Sequence, residues 1–148
     1  MMGEVPWSEV ADELEEIGRT HWAEASGGVA GQYRLNRDLM DLMHANGMLR
    51  TFVARRDGTV IGYLIWTRDV SVECSDANGW EMGPWYAAPG EPCGASLLRY
   101  CIDRFREEGA TRVRVHHTVH GRGAKAGALF RRLGAEPYQT EYRLNLGA

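Results

Sequence analysis

The chain has 148 residues, 44% hydrophobic and 25% charged, with a formal net charge of -3. That balance excludes a mainly disordered chain, and no apolar run nears the roughly 18–20 residues that span a bilayer. The acidic start, MMGEVPWSEVADELEE, lacks the apolar stretch of a secretory leader, so the expectation is one domain over residues 1–148 in the cytoplasm. The three cysteines, Cys74, Cys93 and Cys101, form no CxxC, which argues for reduced thiols rather than a disulfide framework or a zinc knuckle.

In chain order, Ser8 can cap a first helix with Val10, Leu14 and Ile17 on one face. That helix is expected to fray or bend at Gly18, ahead of His21 and Trp22. Ala25–Gly31, rich in Gly and Ala, reads as a loop. Asn36 can cap a second helix that carries Leu39, Met40, Leu42 and Met43 and ends near Gly47. The period then changes from helix to strand. Leu49–Arg55 and Thr59–Thr67 flank Asp57-Gly58, a strong signal for a tight hairpin. After a loop at Glu73–Gly79 comes an aromatic strand, Trp80–Ala88, interrupted by Gly83-Pro84; proline fits a strand only at an edge or a bulge.

Pro89–Ala95 reads as a turn. Ser96–Glu108 is the clearest helix, with Leu97, Leu98, Cys101, Ile102 and Phe105 in one stripe and Gly109 as its stop. Thr111–Thr118 alternates as a strand, Val119–Gly123 is a loop, Ala124–Leu133 is a helix and Tyr138–Leu146 is a last strand. The order α-α-β-β-β-α-β-α-β predicts an α/β chain with a mixed, mostly antiparallel sheet. Helices cover both faces, and Trp80–Thr118 forms a right-handed parallel β-α-β. Ligands in such sheets sit beyond the carboxyl ends of parallel strands, which points to Pro89–Ala95 and Val119–Gly123.

Charge is unevenly spread. Residues 1–24 hold seven acids and one base; residues 109–135 hold six bases, three histidines and no acid. The basic segment suits an anionic partner such as a phosphate-bearing ligand or a nucleic acid, or else it is a solvated face balanced by the acidic start. The turn ahead of Ser96 leads into a helix N-terminus, whose free N–H groups can hold a phosphate. Gly90, Gly94 and Ala95 there would let the backbone come close. An ordinary tight turn is the plain alternative. His116, His117 and His120 have no Cys or carboxylate close in sequence, so no metal is expected.

Four segments in order resemble the GCN5-related N-acetyltransferase family, and more narrowly its phage-encoded members. They are HWAE at His21–Glu24, the run Gly47–Tyr63, WYAAP at Trp85–Pro89 and GALFRRLGAEP at Gly127–Pro137. The resemblance implies acetyl-CoA as co-substrate, with its thioester carbonyl attacked by an amine. Glu81, about eight residues before Pro89, would be the general base, acting directly or through water. Cofactor contacts would fall on Trp85, Tyr86, Ala87, Gly90, Cys93, Gly94, Ala95, Ser96, Arg122, Lys125 and Phe130. Cys93 as an acyl-carrying thiol is a further option, and a hydrophobic filler is its plain alternative.

The pattern also departs from the family. The phosphate loop, usually (Q/R)xxGx(G/A), is Pro89-Gly90-Glu91-Pro92-Cys93-Gly94 here, and each proline removes an N–H. The position of the family's acid tyrosine is Phe130, so either Tyr138, Tyr142 or a nearby histidine would protonate the leaving thiolate, or it would leave without enzymic help. The family's first strand is not evident. Three readings stand: an N-acetyltransferase on an unidentified amine; a catalytically degenerate binding or assembly module of the same fold; and a nucleic-acid binder or modifier using residues 109–135. A homodimer is common in the resembling family, and no membrane partner is expected.

Overall fold

The computed structural model describes residues 1–25, 33–74, 78–119, 125–142, 144 and 146. Its first element is a strand, β1 (Met2–Val5), followed by α1 (Trp7–Ala25) and α2 (Arg37–Ala45). Next come β2 (Leu49–Arg56), β3 (Thr59–Asp69) and β4 (Gly79–Ala87), then α3 (Cys93–Glu107), β5 (Arg112–Arg114) and α4 (Ala126–Arg132). The five strands lie in sequence order across one sheet. All neighbours are antiparallel except β4 and β5, which are parallel. The mixed α/β architecture read from the sequence is therefore the one observed.

Several boundaries are corrected. The chain does not start in a helix: Met2–Val5 pairs with Thr51–Ala54 and forms an edge strand. Four residues carry too little periodicity to announce a strand, and the long edge of β2 is what recruits them. Helix α1 runs on past Gly18 instead of bending there. Gly18 serves packing: a Cβ at this position would come within 2.0 Å of the Tyr33 hydroxyl. Helix α3 starts at Cys93, three residues earlier than the stripe of apolar residues suggested, with Pro92 as its N-cap. Strand β5 holds only three residues. No strand forms among the described residues of 138–146, where Tyr138, Tyr142, Leu144 and Leu146 are exposed. Alternating residues make a strand only where a pairing edge and a surface to cover exist, and β5 offers too little of either.

The hairpin forms as its Asp-Gly pair demands. Asp57 and Gly58 both take positive φ, 50° and 84°, between the paired residues Arg56 and Thr59. Asn36 caps α2 through a 3.2 Å bond accepted from the Leu39 N–H. The sheet separates two cores. On one face Phe52, Leu64, Trp66, Trp80 and Met82 pack under α3 and α4. On the other, Val53, Tyr63, Ile65 and Tyr86 pack under the α1 residues Trp7, Val10 and Leu14. Helix α2 is tied to α1 by the Trp7 indole, which donates to Asp41 at 2.7 Å, and by Arg37, which binds Asp12 and Glu15.

The feature that positions the site is the break in β4. Leu64 pairs with Trp85 and Trp66 with Met82, so Gly83 and Pro84 together oppose Ile65. This is a bulge, as the Gly-Pro step required. Gly83 is needed, because a Cβ there would lie 3.0 Å from the Ile65 carbonyl oxygen. On its other side β4 pairs with β5 only through Gly79, Trp80 and Glu81. Beyond Glu81 the two parallel strands part. Among the described residues, no helix is long and apolar enough to cross a membrane.

Candidate active site

Where β4 and β5 part, a cavity of about 670 Å³ opens. Its floor is the bulged half of β4, Met82 to Ala87. One wall comes from α1 and the segment before α2: Gly18, His21, Trp22, Glu24, Tyr33 and Leu35, with Tyr63 of β3. The opposite wall is Gly94 of α3, His116, His117 and Thr118 after β5, Lys125, and Ala126 and Leu129 of α4. A cleft of this size with few polar groups is the usual form of a small-molecule site.

The α1 wall is built from rings. The Tyr63 hydroxyl lies 2.7 Å from His21 Nδ1. The His21 ring packs on Tyr63 and Tyr86 with centroids 5.7 and 5.1 Å apart, and those two tyrosines lie 5.9 Å from each other. Trp22 and Tyr33 are 6.3 Å apart. Burial pushes the Tyr63 phenol well above its ordinary value, reinforced by Tyr33 and Tyr86. Burial and then Glu15 also raise Tyr33, against a lowering by Arg19. Both phenols are therefore neutral hydrogen-bonding groups near pH 7.

The opposite wall is built from helix starts. Pro92 gives α3 no side-chain cap bond, and Lys125 gives α4 none, so neither cap side chain satisfies the first-turn N–H groups. The Trp85 indole Nε1 is buried without a hydrogen-bond partner among the described residues, beside Gly94. His117 packs on Phe130 with centroids 6.0 Å apart, and its Nδ1 lies 3.0 Å from the Thr118 carbonyl oxygen. Because that oxygen can only accept, Nδ1 carries the proton in the neutral ring and Nε2 is left as an acceptor. Gly127 makes room for the ring: a Cβ there would lie 3.1 Å from Nε2.

Of the residues singled out in the sequence, Trp85, Tyr86, Ala87, Gly94 and Lys125 line the cavity. Gly90 takes φ +81° in the turn, and Phe130 is buried behind Trp85 at 5.9 Å. Ala95 lies in the first turn of α3. Cys93 and Ser96 instead line a second recess, of about 470 Å³, with Arg55 and Arg56. The Cys93 thiol faces the Ile61 carbonyl oxygen at 3.6 Å, and burial raises its pKa, which disfavours the thiolate that acyl transfer would need.

Glu81 is half-exposed and does not line the cavity, although its neighbour Met82 does. Its carboxylate is 3.7 Å from Arg114, which also reaches the buried Asp69 at 3.5 Å. Tyr138 is 82% exposed beneath the Arg114 guanidinium at 5.9 Å, outside the cavity lining. Arg122, His120 and Gly123 lie outside the described residues. Sequence reasoning missed Tyr33, and used His21, Trp22, Glu24 and Tyr63 only as parts of motifs. The available signal was helical spacing: Gly18, His21 and Trp22 share one face of α1 once that helix is read as unbroken.

No curated protein sequence matches the chain. Among solved structures it is similar to an aminoglycoside acetyltransferase from an uncultured soil metagenomic sample. The TM-score is 0.75 at 15% identity, over 99% of this chain and 98% of that one. It is also similar to a ribosomal-protein-alanine N-acetyltransferase from Brucella melitensis biovar Abortus 2308, with TM-score 0.68, 13% identity and 99% of both chains covered. A third likeness is a GNAT family acetyltransferase from Brucella melitensis in complex with acetyl-CoA. Its TM-score is 0.65 at 20% identity, over 93% of this chain and 83% of that one. At these identities the likenesses establish the fold. The sequence profile of the acetyltransferase (GNAT) domain matches residues 6–139, so the chain belongs to the GNAT acetyltransferase family.

Proposed function

We propose that the protein is an acetyl-CoA-dependent N-acetyltransferase acting on an amine by direct transfer. The observation that carries this reading is the cavity at the parting of β4 and β5, walled by rings on one side and by two helix starts on the other. The residues present fit acetyl-CoA, which supplies the acetyl group as a thioester. The unpartnered Trp85 indole N–H can donate to an amide or carbonyl oxygen. Lys125 and the N–H groups of the first turn of α3 favour phosphate oxygens. Pro89 and Pro92 subtract two N–H groups from that cradle; Gly90, Gly94 and Ala95 retain theirs.

In this reading the amine loses its proton to water held by Glu81, whose half-exposed carboxylate sits next to the cavity floor. The nitrogen then forms its bond to the acetyl carbon, the carbon–sulfur bond breaks, and the thiolate takes a proton. For that last proton His117 is better positioned than Tyr138. Its imidazole lines the cavity, whereas Tyr138 is exposed outside it.

The test is a calorimetric titration with acetyl-CoA, and with CoA as second ligand. Micromolar binding that Gly94→Val weakens supports the reading. No binding at millimolar ligand overturns it and leaves the second reading, a non-catalytic module, which the two prolines and Phe130 favour.

A further inference from the structure

Among the described residues, Asp69 is the one charged residue that is buried. It ends β3, yet both of its carboxylate oxygens are bound from β5, the strand beyond its neighbour. Oδ2 accepts from Arg112 Nε at 2.9 Å and Oδ1 from Arg114 Nη1 at 3.5 Å. The side chain crosses β4 at Gly79, which pairs with Asp69 on one side and with Arg112 on the other. A Cβ on Gly79 would lie 3.3 Å from Asp69 Oδ2, so glycine keeps that passage open.

Two residues further along β4, on the same face, stands Glu81. Its partners in the neighbouring strands are the uncharged Thr67 of β3 and Arg114 of β5. The atom facing its carboxylate at 3.7 Å is again Arg114 Nη1. Arg114 Nη2 is engaged by the Gln139 side chain at 3.3 Å, and the Tyr138 ring lies 5.9 Å from the guanidinium carbon. Charge therefore alternates in sign along a row of Arg112, Asp69, Arg114 and Glu81, and the two carboxylates share one guanidinium nitrogen.

We propose that Asp69 is a positioning residue for Glu81: by holding Arg114 Nη1 it keeps the Glu81 carboxylate from closing into a full ion pair. This inference rests on the acetyl-transfer reading above, in which Glu81 holds the water that takes the amine proton, and it explains how that carboxylate stays usable beside a cation. A carboxylate locked onto a guanidinium is a weak base and a poor holder of water, because the pair favours the charged form and occupies its lone pairs. Asp69 has the stronger claim on Arg114. It is buried, and a buried charge that loses a partner is costly, whereas Glu81 is more exposed and water replaces what it lacks. A mere staple of β5 to the sheet would need the two arginine bonds but would leave the protonation of Glu81 untouched.

The experiment follows the carboxyl carbon of Glu81 by carbon-13 NMR through a pH titration, with its signal assigned by its loss in Glu81→Gln. Asp69→Asn releases Arg114 to Glu81, and the titration midpoint should fall by about half a pH unit or more. Arg112→Gln does the reverse. Asp69 is left to Arg114, draws it from Glu81, and the midpoint should rise. Arg114→Gln should also raise it, and on that background Arg112→Gln should add nothing, because the link runs through Arg114. An unchanged midpoint in Asp69→Asn or in Arg112→Gln overturns the inference, and so does an Arg112→Gln shift that persists without Arg114. Arg112 is 48% exposed, so its variants decide the matter if Asp69→Asn does not fold. The titration needs no acceptor. Failure of acetyl-CoA to bind overturns the acetyl-transfer reading, and full turnover in Glu81→Gln overturns its base, so these failures are told apart from loss of the coupling.

Discussion

The two halves of strand β4 show how one strand does two jobs. Its first half, Gly79 to Glu81, is paired on both sides, by β3 and by β5. The buried Asp69 lies beside it and is satisfied by Arg112 at 2.9 Å and Arg114 at 3.5 Å. Trp80 stacks on Phe105 of α3 with centroids 5.2 Å apart and planes 10° apart. The second half, from Gly83, is bulged against β3 and unpaired with β5, and it lines the cavity. A Gly-Pro step thus exchanges ladder bonds for an opening, and the knitted half keeps the sheet in one piece while the other half is available to a ligand.

The largest expected effect breaks the knitted half. Phe105 touches Phe52, Trp66 and Trp80 and is 1% exposed. Phe105→Ala should cost about 3–5 kcal/mol, read from the urea midpoint. The same change at Phe130, on the short helix over the open half, should cost about 3 kcal/mol, the low end of that range, because a loosely braced site collapses more easily. Equal losses would mean that the two halves are braced alike.

Next in size is a change of chemistry with little change in stability. Glu81 sits at the junction of the halves, held 3.7 Å from Arg114. Glu81→Gln should lower turnover by about a hundredfold while acetyl-CoA affinity stays within about twofold. Unchanged turnover would remove Glu81 from the mechanism and shift attention to the His21–Tyr63 pair. A smaller effect sharpens the comparison from the open side. A Cβ on Gly94 would make ordinary contacts with Ala87 and Trp85, at 3.4 to 3.6 Å, so the fold should accept Gly94→Val. The added branch fills the cavity edge, and acetyl-CoA binding should weaken about tenfold, or about 1.4 kcal/mol, by calorimetry.

How much of this was legible in the sequence differs between the halves in the same way. Trp80, Leu97, Leu98, Cys101 and Phe105 follow strand and helix periods, so the knitted half and its core could be read directly. The Gly-Pro bulge was legible because proline has few places in a strand. The ring wall was not. It joins His21 of α1 to Tyr63 of β3 and Tyr86 of β4, 42 and 65 positions further along the chain, and only the packing of α1 across the sheet brings them together. The last strand was misread for the complementary reason. Residues 138–146 have the alternation, but what decides a strand is a free edge to pair with, and alternation does not encode that. β1 shows the converse, a strand with almost no pattern that forms because β2 provides the edge.

The smallest effect uses the knitted half as a proton-linked element. Cys101 lies wholly buried on the inner face of α3, and burial raises its thiol from the ordinary 9.0 to about 12. A group whose folded pKa is raised holds its proton more tightly in the folded chain, so its contribution is complete below pH 9.0 and is lost as pH rises toward 12. Over the first pH unit of that window the loss should be about 1 kcal/mol. Tyr63 titrates upward as well, by burial, so an alkaline slope alone does not identify the thiol. The comparison that does is Cys101→Ala, which is somewhat less stable than the parent at pH 7 because of the vacated sulfur volume. Its deficit should shrink between pH 9 and pH 10 as the parent loses the linked term and the variant, having no thiol, does not. Parallel stability curves for the two proteins across that window would show that the thiol does not titrate on unfolding there. Cys74, exposed in the segment before β4, is the internal control: it should be alkylated rapidly at pH 8 in the native protein, while Cys93 and Cys101 react only after unfolding.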